Sequence, residues 1–372
     1  MTTLSADDAR RLRMAALLIH ERPAAAPSPA TVADVVTHMG AMQAQDNASG
    51  LWSLGLRLPG RSQADVLGGL ERGEALRTWP MRGTVHLVPG RDAHWMLQVT
   101  GVRALQGAAR RRAYLGLSDA DAEKAVDVIG AALTGDRRLS RTELLEALRA
   151  AGLAVTGSLG YHLLWYASQR GVSAIAPHVD GEQTFVLLDD WVPDPLRPQE
   201  DEALALLATR YFRSHGPTTR QDFAGWTGLS AAQAKKAIAL AGEALATAQL
   251  DGVPVHLDPA LLAAHPDLPG DDDVHALPGF DEYLLGYKDR SLMLQPGHLD
   301  AVIPGGNGMF RSTLVRAGRV IGTWTRATSG KRGVVTVMPL VPVGDADREA
   351  SEAALRAWAD HVEVPLTVRW TQ

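Results

Sequence analysis

The sequence predicts an α+β protein with three helix-rich units, each ending in a pair of strands, followed by a smaller β-rich domain. At 372 residues the chain exceeds a comfortable single core, so two to four domains are expected. Helical apolar spacing followed by short alternating runs recurs three times before about residue 270. After about Ala276, β-rich runs separated by turn residues predominate. These three observations define the fold class.

The first unit, residues 1–115, is the loosest of the three copies. Its predicted elements are helices over residues 6–20, 31–41 and 62–72 and strands over residues 75–79 and 84–88. The intervening loops are longer than in the other copies. One of those loops carries the run Met42-Gln43-Ala44-Gln45-Asp46.

The second unit, residues 116–195, is the clearest copy. Helices are predicted over residues 119–133, from Ser140, and over residues 157–169, with a short extended piece at Leu139. Ser140 has Glu143 three positions on, which is a capping-box signature. Strands over residues 172–175 and 184–188 flank the turn at Asp180-Gly181. Three helices followed by a hairpin are typical of a winged helix.

The third unit, residues 196–270, follows a proline-rich linker at residues 192–198. Its predicted helices cover residues 201–214, 219–226 and 231–245, and its hairpin, residues 247–250 and 253–257, turns at Asp251-Gly252. The remaining residues, 271–372, predict a small α+β or barrel-like domain. Its strands are expected at residues 314–315, 320–325, 334–338 and 364–370 and its helix at residues 347–359.

Charge is distributed unevenly along the chain. The net charge is -5, yet residues 1–115 contain 14 arginines, no lysine and 9 acidic residues. Acidic runs follow later, for example Glu200-Asp201-Glu202 and Asp271-Asp272-Asp273. Arginine suits bidentate phosphate contacts, so the first third could present a face to a polyanion. Solvated surface charge is the alternative for any single arginine.

Composition excludes several classes of protein. No apolar run reaches the ~18–20 residues of a membrane span, and the polar N-terminal residues do not resemble a signal peptide. The absence of cysteine excludes disulfides, cysteine nucleophiles and zinc–thiolate sites. No histidine pair has helical ligand spacing with a carboxylate, so we expect no metal and no cofactor; His162, on an apolar helix face, is interpreted as a satisfied core histidine. We expect a cytoplasmic protein.

The run Gln43-Ala44-Gln45 is the most informative candidate site. Side chains two positions apart project to the same side of an extended backbone. Each neutral amide offers an acceptor oxygen and two donor hydrogens, so the pair could orient a water molecule beside a cationic or sugar-like centre. Asp46 would be a stronger base, but an adjacent strand residue points the other way.

Two further segments are unusual. In residues 77–88 (RTWPMRGTVHLV), Arg82 and His86 have an even spacing and could line one face of a wing, with Gly83 allowing close backbone approach. An aromatic-anchored hairpin of purely structural role is an equally good interpretation. In residues 277–290 (LPGFDEYLLGYKDR), Phe280, Tyr283 and Leu284 are expected in the core.

These segments, together with residues 217–229 (PTTRQDFAGWTGL) and 310–315 (FRSTLV), identify a resemblance. In this order over essentially the whole chain, they resemble the AlkZ/YcaQ superfamily of winged-helix DNA glycosylases. The resemblance implies three winged-helix units and a C-terminal β-barrel in a C shape around a basic channel. Gln43 and Gln45 match the family's catalytic Q-x-Q motif. The sequence pI of about 6.2 departs from that of a strong non-specific DNA binder.

The resemblance further implies removal of N7-alkylated purines, including bulky adducts and crosslinks, from double-stranded DNA. We expect Gln45 to position the water and Gln43 to support it, and we expect the chain to act as a nucleoid-associated monomer. DNA contacts are expected from Asp46, Arg77, Arg82, His86, Arg290 and Arg311. The alternatives are a non-catalytic winged-helix regulator and a protein-interaction scaffold. The predicted third helices carry few base-reading side chains, which disfavours the regulator.

Overall fold

The computed structural model describes residues 2–20, 28–268, 273–329 and 332–371. Two residues of the acidic run, Asp271 and Asp272, lie outside the described residues, as do Gly330 and Lys331, which belong to the turn residues expected between the strands predicted at 320–325 and 334–338. No helix in the described ranges is long and apolar enough to cross a membrane.

Helices form most of the first three units and also occur in the C-terminal domain. They are α1 (Ala6–Ala16), α2 (Val32–Met39), α3 (Asn47–Leu56), α4 (Gln63–Glu71), α5 (Ala93–Thr100), α6 (Val102–Leu115), α7 (Asp119–Leu133), α8 (Arg141–Ala150), α9 (Gly157–Gln169), α10 (Leu188–Trp191), α11 (Glu200–His215), α12 (Arg220–Thr227), α13 (Ala231–Ala241), α14 (Pro259–Ala264), α15 (Glu282–Leu285), α16 (Leu299–Val302) and α17 (Asp345–His361).

The strands are mostly short and fall between these helices. They are β1 (Thr3–Leu4), β2 (Met42–Gln43), β3 (Ala75–Met81), β4 (Thr84–Pro89), β5 (Leu139–Ser140), β6 (Ser173–Val179), β7 (Glu182–Leu187), β8 (Ala246–Leu250), β9 (Val253–Leu257), β10 (Val274–Leu277), β11 (Ser312–Arg316), β12 (Arg319–Ser329), β13 (Arg332–Pro339) and β14 (Leu366–Trp370).

Local signals placed many of these elements correctly. Ser140 caps α8, and its side chain and that of Glu143 satisfy each other's backbone N–H groups. Helix α7 has the predicted bounds. The turn between β6 and β7 has positive φ at Asp180 and Gly181, 51° and 80°, as a two-residue hairpin turn requires. Such capping and turn rules depend on neighbouring residues alone.

The hairpins of the first two units belong to one sheet. Its six strands lie in the order β2-β4-β3-β6-β7-β5, joined at the centre by the pair Arg77 and Ile175. The hairpin of the third unit, β8 and β9, is extended by β1, which pairs parallel to β8. The N-terminus and the third unit are therefore connected through a sheet.

The C-terminal strands do not form a closed barrel, contrary to the expectation of a barrel-like domain. They form an open sheet in the order β10-β11-β12-β13-β14, in which the last strand pairs parallel to β13. Helix α17 packs on this sheet, with the ring centroid of Trp358 lying 5.6 Å from that of Trp324. The helix buries the apolar face that barrel closure would otherwise enclose.

Helices α3, α5 and α6 are absent from the sequence prediction. The sequence predicts a long loop that includes residues 47–56, but these residues form a helix that is buried on nearly all sides, from Ser49 to Gly55. A helix without a solvated face has no 3.6-residue polar period to detect. The loop carrying the two glutamines is therefore short.

The arginine excess of residues 1–115 is only partly on the surface. Arg57 is 2% exposed, and its guanidinium contacts both carboxylate oxygens of Asp281 at 2.9 and 3.1 Å. Arg13 is also buried and donates to the carbonyl oxygen of Pro217 at 3.0 Å. These arginines hold sequence-distant segments together. The net charge of residues 1–115 therefore overestimates how basic the surface of this unit is.

Candidate active site

Gln43 is held at the edge of the six-stranded sheet. Strand β2 pairs antiparallel with β4, so that Gln43 lies opposite His86, and His86 lies opposite Thr78 on β3. The backbone N–H of Gln43 donates to Oε1 of Glu282 at 2.7 Å. The Gln43 residue is only 8% exposed, so both its backbone and its side chain are constrained.

Arg82 lies at the tip of the β3–β4 hairpin. Met81 pairs with Thr84, and the two residues between them, Arg82 and Gly83, have φ of 54° and 72°. A positive φ at a non-glycine residue is strained and needs support from its surroundings. The guanidinium donates to Gln43 Oε1 at 3.3 Å and, through the same nitrogen, to His86 Nε2 at 3.2 Å; the other nitrogen donates to the carbonyl of Trp226.

The contacts of His86 determine its tautomer. Its Nδ1 lies 2.9 Å from the carbonyl oxygen of Thr84, which can only accept, so Nδ1 carries the proton and Nε2 accepts from Arg82. Burial, followed by the charge of Arg82, lowers the pKa of His86 to about 3. His86 is therefore neutral at physiological pH and orients Arg82.

Glu282 is the residue that sequence reasoning missed. Its carboxylate is 1% exposed and accepts hydrogen bonds from Gln43 N, from Nε2 of His215 at 3.3 Å and from Nε1 of Trp226 at 2.9 Å. Burial by itself raises the pKa of this carboxyl, but the hydrogen bonds of His215 and Gln43 hold it at about 2. The signal was a charged residue beside predicted core positions, Phe280, Tyr283 and Leu284, which are all buried as expected.

A cavity of about 390 Å³ opens in front of Gln43. We call it the glutamine cavity; its walls include Gln43, Arg82, Thr84, Asp222, Gly225, Trp226, Lys288, Arg290 and Phe310. Arg290 donates through Nε to the carbonyl of Leu284 at 2.7 Å and stands 5.0 Å from the Phe310 ring centroid. Gln43, Arg82 and Arg290 from the expected set thus meet at one cavity, with His86 directly behind Arg82.

Gln45 differs from Gln43 in position. It is exposed, lies in a bend after β2, and is not among the residues of the glutamine cavity. Its Oε1 accepts the backbone N–H of Val85 at 3.2 Å. The extended segment ends at Gln43, so the two amides lie in different environments beside strand β4.

Three other expected residues lie away from the glutamine cavity. Asp46 caps α3 by accepting from Ser49 N at 2.9 Å, and Arg326 contacts it at 2.6 Å. Arg77 is 6% exposed and donates to the carbonyl of Ala176 at 3.4 Å; burial lowers its pKa to about 10. Arg311 is exposed and donates to the carbonyl of Ala301 at 3.2 Å. Their assignment as DNA contacts stays a prediction.

The amide of Gln43 is suited to orienting a neutral group such as water in the cavity. An amide oxygen has two lone pairs, so Gln43 Oε1 keeps an acceptor position after accepting from Arg82. Asp222 is occupied by the hydroxyls of Thr218 and Thr219 and by the backbone N–H of Lys288. Among the described residues, no group of three or more His, Cys, Asp or Glu is placed to hold a metal ion.

Comparison with known proteins identifies relatives of the whole chain. A relative named as an interstrand DNA cross-link repair glycosylase, from Streptomyces sahachiroi, is 27% identical over 364 residues, which is 90% of this chain and 93% of the relative. The solved structure of Streptomyces sahachiroi DNA glycosylase AlkZ matches with a TM-score of 0.79, at 23% identity and over 100% of both chains. That likeness shows the same mixed α+β fold.

The family match defines the class of enzyme. The model of the family described as "DNA glycosylase AlkZ-like" matches residues 36–361, which is most of the chain. The protein is therefore an enzyme of the DNA glycosylase class. Within that class, the chain belongs to the AlkZ-like family.

Proposed function

We propose that this protein is a monofunctional glycosylase that hydrolyses the N-glycosidic bond of N7-alkylated purines, including bulky or crosslinked adducts, in DNA repair or self-resistance. The proposal rests on Gln43. Arg82 holds the Gln43 side-chain amide at the glutamine cavity, and the buried Glu282 holds the Gln43 backbone. The name of the S. sahachiroi relative supports extension to crosslinks.

The chemistry follows from the charge of the substrate. Alkylation at N7 makes the base cationic, so its departure with the C1′–N9 electron pair neutralises the base and needs no general acid. The sugar becomes oxocarbenium-like, water adds to C1′, and its proton passes to solvent. Two neutral amides suit this reaction, because they orient water and direct dipoles at developing positive charge. Gln45 positions the water, and Gln43 contacts the water or deoxyribose.

The arrangement of the chain supports binding to double-stranded DNA. We infer that residues 1–115, 116–195 and 196–270 act as winged-helix units and that residues 271–372 form the fourth domain, together a C shape around a channel. Arg82 and Arg290 contact DNA from the glutamine cavity. Asp46, Arg77, His86 and Arg311 act as further contacts or supports, and the enzyme acts as a nucleoid-associated monomer.

Single-turnover base release tests the two glutamines. We expect Gln43→Ala and Gln45→Ala each to lower release of N7-methylguanine from a duplex by about 100-fold or more, because a positioned water and an oriented dipole are lost. Binding to the same duplex, measured by fluorescence anisotropy, should change little. Gln295→Ala is the matched control, since Gln295 is exposed, lies outside the glutamine cavity and does not belong to the Gln43-Ala44-Gln45 run. Normal turnover by both active-site variants would refute the assignment.

Borohydride trapping tests the monofunctional mechanism. Lys288 lines the glutamine cavity, and a lysine amine that attacks C1′ forms a Schiff base. We expect no trapped protein–DNA adduct with the wild-type enzyme or with Lys288→Met. A trapped adduct that disappears in this variant would instead identify a bifunctional enzyme.

A further inference from the structure

The segment between α16 and β11, residues 303–311, forms part of the rim of the glutamine cavity. We call it the glycine loop, because three glycines with positive φ interrupt it: Gly305 (59°), Gly306 (63°) and Gly308 (79°). Gly308 and Phe310 line the cavity. Met309, which lies between these two residues, is therefore at the edge of the cavity.

Hydrogen bonds within the glycine loop hold its shape. The backbone N–H of Arg311 donates to the carbonyl oxygen of Val302 at 2.9 Å and joins the two ends of the loop. The backbone N–H of Met309 donates to Oδ1 of Asn307 at 2.9 Å, which is the contact of an Asx turn. A loop closed by its own contacts presents its tip in a defined position before a ligand binds.

The Met309 side chain points to solvent, whereas the residue that follows it is packed. Met309 is 54% exposed. The partly buried Phe310 ring lies 6.4 Å from the ring of Phe280 and 5.0 Å from the guanidinium of Arg290. A single exposed apolar side chain is ordinary by itself, so its place beside the cavity walls is the informative observation.

The surroundings of Met309 are suited to DNA. Lys288 and Arg290 line the same cavity, and Arg311 in the same loop is exposed. Cations around an apolar tip match the phosphates that flank a base stack. A Cβ built on Gly308 meets no atom within 4 Å, so the backbone beside Met309 is open to a close approach.

The position of Gln43 requires the substrate to leave the base stack. Gln43 is only 8% exposed and lies on the wall of a cavity of about 390 Å³. A sugar within an intact duplex is held between its stacked neighbours and does not reach such a residue, so the nucleotide has to be drawn out of the stack. Its departure leaves a gap that apolar side chains fill in other DNA-binding proteins.

We propose that Met309 is a wedge that enters the base stack beside the damaged nucleotide and fills the space left when that nucleotide moves into the glutamine cavity. A methionine side chain is unbranched and polarizable, so it adapts to the faces of the flanking bases. The proposal rests on the proposed function, because it takes the glutamine cavity as the place of glycosidic cleavage. Met309 thus contacts DNA but none of the reacting atoms.

Fluorescence of 2-aminopurine, which rises when this base is unstacked, tests the wedge directly. The full chain is added to a duplex that carries 2-aminopurine next to a 2′-fluoro N7-methylguanine nucleotide, whose glycosidic bond resists hydrolysis. We expect the wild-type enzyme to raise the fluorescence, Met309→Ala to lose the rise and Met309→Leu to retain it. Leu299→Ala is the matched control, since Leu299 is 51% exposed on α16, next to the glycine loop, and does not line the cavity.

Single-turnover release of N7-methylguanine provides a second measurement. From an ordinary duplex, Met309→Ala should release the base about tenfold more slowly than wild type, because unstacking is no longer offset by insertion of the side chain. From a duplex in which a tetrahydrofuran abasic analogue replaces the neighbouring nucleotide, the loss should shrink to about twofold, because little stacking remains to be broken.

The two measurements separate the wedge from the proposed function. No fluorescence rise in wild type, or a rise that Met309→Ala leaves intact, would overturn the wedge even where N7-methylguanine is released. A rise that Met309→Ala abolishes, in an enzyme that releases no base, would support the wedge and refute the proposed function. Equal losses of release from the two duplexes, or the same loss of fluorescence in Leu299→Ala, would show a general effect on the loop and would also overturn the wedge.

Discussion

The two cavities beside the Arg82–Gly83 turn are built in opposite ways. Behind the glutamine cavity, Glu282 and His86 are almost completely buried, and their polar atoms are matched by hydrogen bonds from other segments. In the cavity of about 530 Å³ between α6 and α9, Arg111 is exposed and the buried His162 Nε2 has no hydrogen-bond partner. The difference teaches that the surroundings of Gln43 are fixed by contacts within the folded chain, whereas the second cavity leaves polar groups without partners.

The strongest test of this contrast is Glu282→Gln. Removing the buried carboxylate of Glu282 leaves the hydrogen bonds from His215 and from Gln43 N imperfectly satisfied. We therefore expect the free energy of unfolding to fall by about 3 kcal/mol. Release of N7-methylguanine should fall by about 100-fold as Gln43 loses its fixed position. Urea denaturation and single-turnover kinetics measure the two effects. Glu349→Gln, at an exposed glutamate of α17, should change neither.

Gly225→Leu tests the glutamine cavity separately from the other cavity, and it removes no buried charge. Gly225 lines the glutamine cavity, and a Cβ built there meets no atom within 4 Å. We expect this variant to lower release of N7-methylguanine by about 100-fold, because the reacting sugar is displaced. Gly107→Leu adds the same side chain to the cavity between α6 and α9 and should leave this release close to that of wild type. Equal losses in the two variants would show that the reaction does not depend on which cavity is filled.

The pH dependence of the free energy of unfolding distinguishes the two buried histidines, His86 and His162. The folded-state pKa of His86 is about 3 and that of His162 about 4, both below the ordinary 6.5. Below pH 6.5 the unfolded state therefore binds more protons, and stability falls as pH falls, by up to about 1.4 kcal/mol per pH unit for each histidine.

The variant His162→Phe should flatten this slope between about pH 6 and 4, as followed by urea denaturation at several pH values. The remaining slope, to which His86 contributes, should persist to about pH 3. An unchanged slope in the variant would show that His162 is not held neutral by its surroundings.

The smallest effect is expected from Arg111→Ala. An exposed arginine that contacts one phosphate contributes to affinity through counterion release, so the slope of log K against log salt should fall by about 0.9. Affinity for unmodified duplex should fall only a few-fold, without sequence preference. Arg149→Ala, at an exposed position of α8, should leave the slope unchanged.

Local rules predicted the parts of the fold that depend on nearby residues. The Ser140 cap, the Asp180-Gly181 turn and the bounds of α7 follow from propensities and hydrogen bonds within a few positions. The open C-terminal sheet and the buried α3 did not follow, because both are decided by packing against distant elements. A resemblance supplied the family, which the comparisons confirmed.

By itself the sequence determined the class of enzyme and named Gln43 and Gln45 as the candidate catalytic pair. Only the tertiary structure distinguished the two residues: Gln43 is buried in a cavity and bonded to Arg82, whereas Gln45 is exposed and bonded to Val85. It also brought Glu282 to Gln43 across 239 positions of the chain. Burial and long-range hydrogen bonds are properties of the folded chain, so sequence spacing does not contain them.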